Sequence, residues 1–190
     1  MTDTAAAPSP SSLPVRARAL YLGGARLAER VIHHDLLSLF FRLTIAGVFW
    51  RSLLTKVETF GVIRYVELIN DFEVEKTRVK LPELPLELKA STLSQFHGDF
   101  ALPLLPAEAA AWFATLGEFI LPLLLVLGLF TRFAAAGLLV MTLVIQIFVF
   151  PDAWWATHAL WAALLLYLVG RGPGRISLDA MAGKVLERRS

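Results

Sequence analysis

Five side chains that carry charge or direct hydrogen bonds interrupt long apolar runs: Arg42, Arg51, Glu118, Gln146 and His158, with Lys56 closing the first run. Ionisable groups inside a membrane are costly, so they mark a function or an obligatory pair. Glu118 is the sharpest of them. It suits proton uptake or a hydrogen bond to a quinone-like ligand, or else a buried ion pair with Arg51 or Arg42 that fixes helix register. His158 follows Trp154-Trp155. It can exchange a proton, bind a quinone carbonyl or ligate a metal, or simply be an interfacial histidine satisfied by the neighbouring loop. Glu118 and His158 are therefore the catalytic candidates. Arg42, Arg51, Lys56 and Gln146 are the ligand-binding candidates. Gln146, with Thr142 one turn earlier, also suits bonding between helices.

The elements that must position these groups are four apolar segments. Leu36–Thr55 is bounded by Asp35 and Lys56; Ala109–Phe130, Phe133–Phe150 and Trp154–Val169 follow. Each is close to the roughly 20 residues that cross about 30 Å of hydrocarbon, whereas about 10–14 would suit a helix buried in a soluble core. The joints Thr131-Arg132 and Pro151-Asp152-Ala153 are so short that consecutive helices must run antiparallel and touch. The expected fold is an all-α integral membrane bundle of four helices, about 36–56, 109–130, 132–150 and 154–170. A hydrophobic content of 56% and a mean hydropathy of +0.62 agree with it.

Depth follows from about 1.5 Å of rise per residue. Glu118 falls roughly 13 Å from the outer end of its helix, Arg51 about 8 Å, His158 about 7 Å and Gln146 about 6 Å. Arg42 lies deeper. Four of the five thus gather in the outer half of the bundle, which predicts one polar pocket there. Arg42 and Arg51 fall on opposite helix faces at about 100° per residue. Only one of them easily faces the centre. Arg42 shares its face with Ser38, Ser52 and Lys56.

Outside the bundle, residues 1–14 are small, polar and Pro-containing, the composition of a disordered tail. Residues 15–34 set Arg16, Arg18, Arg26 and Arg30 among apolar residues, as in an amphipathic helix on a membrane surface. The connection 57–108 is long and net acidic; Gly61–Phe72 suits a short helix, and the proline-spaced Lys80–Lys89 an extended or turn-like path. Ser177 is positioned to cap a short helix in the tail 171–190. Lys and Arg concentrate in both terminal flanks, which predicts cytoplasmic termini and an extracytoplasmic 57–108 loop. Trp50, Trp112, Trp154 and Trp155 then form an outer aromatic belt. The N-terminus shows no pattern of a cleavable signal peptide.

Several functions lose support. Net charge is only +2, so no nucleic-acid partner is expected. With no cysteine, iron–sulfur clusters, thiolate metal sites and an intrinsic thiol relay are excluded. His33, His34, His97 and His158 lie at scattered depths, so neither a haem nor a metal site is expected.

Two stretches carry a family resemblance. PLLPAEAAAWFATLGEFILPLLLVLGLFTRFAA (103–135) and GPGRISLD (172–179) resemble the DoxX family of small bacterial membrane proteins, related to DoxD. FWRSLLTK (49–56) is similar to the end of that family's first helix, which often has glycine where this chain has Leu53. The likeness covers about residues 36–180. It implies a multi-pass four-helix protein of the bacterial cytoplasmic (inner) membrane. DoxD proteins are membrane subunits of thiosulfate:quinone oxidoreductase, and DoxX proteins are associated with oxidative, thiol and metal stress. The resemblance transfers no catalytic motif to numbered positions. The leading expectation is a redox or stress-response subunit that holds a quinone or similar small molecule. The alternatives are a non-catalytic scaffold or accessory subunit for a protein partner, a homo-oligomer, and a small transporter.

Overall fold

The computed structural model describes residues 12–69 and 72–187. Helix α1 (Ser12–Val31) begins inside the stretch expected to be a tail, and residues 1–11 lie outside those described. Four helical spans follow: α2 (His34–Lys56), α4 (Ala107–Leu127), α5 with its continuation (Thr131–Val149), and α6 with its preceding turns (Pro151–Arg171). All four are long and apolar enough to cross a bilayer. Only 22–33% of each apolar window is buried inside the protein, which leaves the larger share to lipid.

The spans close a four-cornered bundle in which α2 packs on α4 and α6, and α5 on α4 and α6. Glycine permits the close approaches. A Cβ on Gly117 would crowd Met141 of α5, and one on Gly137 would crowd Leu121 of α4. Gly128 ends α4 in the left-handed region (φ +65°), a conformation that favours glycine and reverses the chain in three residues.

The interior is layered. Its apolar waist contains Ile45, Phe49, Leu125, Leu138, Leu165 and Leu168. Below the waist, at the end where both terminal flanks leave, a polar layer holds Ser38, Arg42, Thr131 and Ser177. Above it, a second polar layer holds Lys56, Thr115, Glu118, Thr142 and His158. Because Glu118, midway along α4, meets the last turn of α2, the first turns of α4 extend past the end of α2. The short helix α3 (Ala90–His97) occupies that vacated corner, seating Phe96 on Ala110 and Ala111.

The connection 57–108 departs from expectation. Gly61–Phe72 is not helical: β1 (Thr59–Ile69) pairs antiparallel with β2 (Phe72–Pro82). β1 holds seven β-branched or aromatic residues in eleven, which lose side-chain freedom in a helix and pack well on a pleated surface; β2 holds four and pairs with it. The protein is mostly helical, with this hairpin as its one sheet among the described residues.

Last comes α7 (Leu178–Glu187), capped as expected by Ser177 Oγ, which accepts from Ala180 N at 3.1 Å. The preceding GPGRISLD segment stitches the terminal end together. Ser38 Oγ donates to the Gly172 carbonyl at 2.8 Å, and Arg42 to the Ile176 carbonyl. Arg175 N donates to Asp35 Oδ1 at 2.7 Å. Asp179 receives the amides of Phe130 and Thr131 at 2.8 and 2.9 Å, capping the start of α5. The motif that carries the family likeness thus joins α2, the α4–α5 turn and the end of α6.

Candidate functional site

Two polar clusters occupy the upper layer. In the first, α2 brings Ser52 and Lys56 to one face, four residues apart. Lys56 Nζ donates to both carboxylate oxygens of Glu118 at 2.9 Å and to Ser52 Oγ at 2.8 Å. Ser52 Oγ also donates to Glu118 Oε1 at 2.9 Å. Glu118 is 1% exposed. Its partner is therefore Lys56, and the pairing expected with Arg51 or Arg42 does not form. The reason is geometric. Arg51 sits on the outward face of α2 and is exposed. Arg42 is buried, but at the terminal end, where its guanidinium lies against Gly128. Gly128 is ten residues beyond Glu118, about 15 Å along α4. Lys56, by contrast, reaches down on a long flexible stem.

Lys56 also ties this pair to the outer elements. Its carbonyl accepts Lys89 N at 3.0 Å and the buried Thr92 Oγ1 at 2.8 Å. One residue thus holds both the carboxylate inside the bundle and the start of α3 above it. Thr115, one turn before Glu118 on the same inward face, is fully buried, and its hydroxyl has no hydrogen-bond partner among the described residues.

The second cluster lies at the α5–α6 corner. Gln146 and His158 both fall in π-helical turns, Ile145–Val149 and Trp154–His158. Such turns often occur at functional sites because the widened backbone re-aims a side chain. Here they face Gln146 Oε1 toward His158 Nδ1 at 2.7 Å. Gln146 Nε2 donates to the carbonyl of Pro151. That acceptor fixes the amide orientation, which in turn requires a hydrogen on His158 Nδ1. In the neutral ring, Nε2 then keeps its lone pair. The imidazole is buried, with Trp161 at a centroid distance of 5.0 Å.

Of the six residues singled out in the sequence, the structure joins Lys56 with Glu118 and Gln146 with His158. Among the described residues no hydrogen bond links the two pairs. Both are on the hairpin side of the apolar waist, whereas Arg42 and Arg51 belong to neither. Sequence reasoning placed Ser52 on the face of Arg42 and Lys56 but gave it no role. Its spacing from Lys56 was the available signal. Thr92 and Thr115 gave none, since their importance depends on how α3 and α4 sit over α2.

A protein-family model described as DoxX matches residues 37–151, well over half of the chain. A Haemophilus influenzae (strain ATCC 51907 / DSM 11121 / KW20 / Rd) protein described as "Uncharacterized protein" is 32% identical over 107 residues. That match covers 48% of this chain and 65% of the relative, so it spans just under two thirds of the relative's length. No solved structure matches. With a family match of that extent and four membrane-length helices in one bundle, this chain belongs to the DoxX family of multi-pass membrane proteins.

Proposed function

We propose that this protein is the membrane subunit of a redox or stress-response system in the bacterial inner membrane, and that it binds a quinone or similar small molecule in its upper polar layer. The observation that carries the reading is the Pro151–Gln146–His158 chain, which leaves His158 Nε2 as a hydrogen-bond acceptor inside the bundle. A quinol hydroxyl is a matching donor. Quinol oxidation releases two electrons and two protons. This chain has no cysteine to take the electrons, so a partner subunit would carry them. His158 Nε2 would accept one proton, the second would leave with the electrons to the partner subunit, and the Lys56–Glu118–Ser52 cluster would hold charge across the bundle. The unpartnered Thr115 hydroxyl supplies a further polar contact.

Native mass spectrometry of protein gently extracted from its own membrane tests this reading. A co-purifying quinone-sized mass is expected, and its occupancy should fall in Gln146→Leu, which frees His158 to rotate. Absence of any such mass, or equal retention in that variant, would sink the proposal.

A second reading, an accessory subunit that docks a protein partner, is favoured by the hairpin. Its sheet has two strands of 11 residues each, and the outer edges of both are open. Open edges accept an added strand from another chain. Replacing residues 59–82 by a short linker should abolish partner co-purification; unchanged recovery of the partner would reject this role.

A further inference from the structure

The hairpin rises directly from α2, so its relation to the bilayer is a physical question. At about 3.3 Å per residue each strand is roughly 36 Å long. Standing upright, it would carry its side chains far into water. Its composition near the root opposes that. Phe60 pairs directly with Leu81, and Ile63 with Val79. Opposed residues share a face, as do Val79 and Leu81 two positions apart. All four are therefore on one face, and all are exposed. Lys80, opposite Gly61, points to the other face.

The backbone bends where this stripe lies. Register shifts occur between Gly61 and Ile63 and between Ile63 and Arg64. Such irregularities bend a strand and increase its twist. The stripe also does not stand alone. Leu84 after β2 is 73% exposed, Leu104 before α4 is 88% exposed, and Trp155 at the α5–α6 corner is 88% exposed. By their places at the ends of the spans, all three lie at the same end of the bundle as the hairpin root. Exposed apolar residues continue from that end onto the spans, such as Phe113 on α4 and Phe148 on α5.

We propose that the occupant of the stripe is the lipid surface: the root of the hairpin folds over to lie along the membrane, with Phe60, Ile63, Val79 and Leu81 set into the headgroup–acyl boundary and Lys80 toward water. Continuity with the lipid-facing surface favours this occupant over a protein. An isolated two-stranded hairpin is at best marginally stable in water, and burial of one face in lipid supplies the packing surface it lacks. The hairpin edges remain open in this arrangement, so the lipid contact is separate from any strand addition.

The chain has no native cysteine, so single cysteines report cleanly. Nitroxide labels on Phe60→Cys, Ile63→Cys, Leu81→Cys and Lys80→Cys would be read by electron paramagnetic resonance in phosphatidylcholine–phosphatidylglycerol vesicles. The probes are oxygen, which concentrates in lipid, and a water-soluble nickel chelate. Positions 60, 63 and 81 should favour oxygen several-fold over the chelate, and position 80 the reverse. Chelate-dominated collisions at all four sites would overturn the proposal. Protection from both probes at 60, 63 and 81 would also overturn it, since it would mean that protein covers the face. All four sites are exposed, so the labels leave the bundle interior undisturbed.

Discussion

The Lys56–Glu118 pair is the strongest internal tie between α2 and α4, and removing one partner has a calculable cost. Lys56→Met keeps most of the stem volume but deletes the donor to both Glu118 oxygens and to Ser52. The side chains are 11% and 2% exposed, so solvent cannot compensate the carboxylate. Breaking a buried ion pair from one side costs about 3–5 kcal/mol in soluble proteins. In lipid the separated helices retain some polar partners, which lowers the value. The expectation is the lower end, about 3 kcal/mol, or roughly two orders of magnitude in the folding equilibrium. Replacing both partners by methionine should recover most of the loss, because no charge is then left uncompensated. Equilibrium unfolding in lipid bicelles would measure the two single variants and the double variant as a cycle. A loss below about 0.5 kcal/mol in Lys56→Met, or a double variant as unstable as the sum of the singles, would refute the reasoning.

Three further predictions concern stability. Gly128→Ala should destabilise by about 2 kcal/mol or more, because a left-handed residue gains a Cβ that meets Arg42 and Ser177. Gly47→Ala should be neutral to stabilising by up to about 1 kcal/mol, since no atom lies within 4 Å of its added Cβ. Thermal unfolding of the two variants side by side checks the contrast. Asp179→Ala should cost about 2 kcal/mol through the lost amide bonds of Phe130 and Thr131, with Asp179→Asn milder because one acceptor oxygen survives.

The bundle was legible because each span is set by a long apolar run and the joints between spans are too short for any other path. Each of the four runs lies on a helix long and apolar enough to cross a membrane, and Gly128 stops α4 before Phe130. The hairpin was missed because residues 61–72 alternate poorly, although Val62, Ile63, Tyr65, Val66 and Ile69 were an available signal of a strand; the two register shifts show only when β2 is laid against β1. Glu118 stood out as a buried charge, but its partner did not. Pairing depends on axial offset between helices, and α4 is displaced along α2 enough to bring Lys56, at the helix end, level with mid-α4. The Gln146–His158 contact follows from two π-helical turns that no spacing rule reveals. The GPGRISLD segment was recognisable as a sequence; its work as a staple between α2, α5 and α6 required the fold.

In the proposed role, His158 presents a bare Nε2 to a quinol-like donor. Nitrogen-15 NMR of histidine-labelled protein in lipid nanodiscs reads this directly, with His158→Asn assigning the signal among the four histidines. The expected result is a neutral ring with its hydrogen on Nδ1 and a shift confined to Nε2 when a quinol is added. A hydrogen on Nε2, or an Nε2 signal indifferent to quinol, would contradict it.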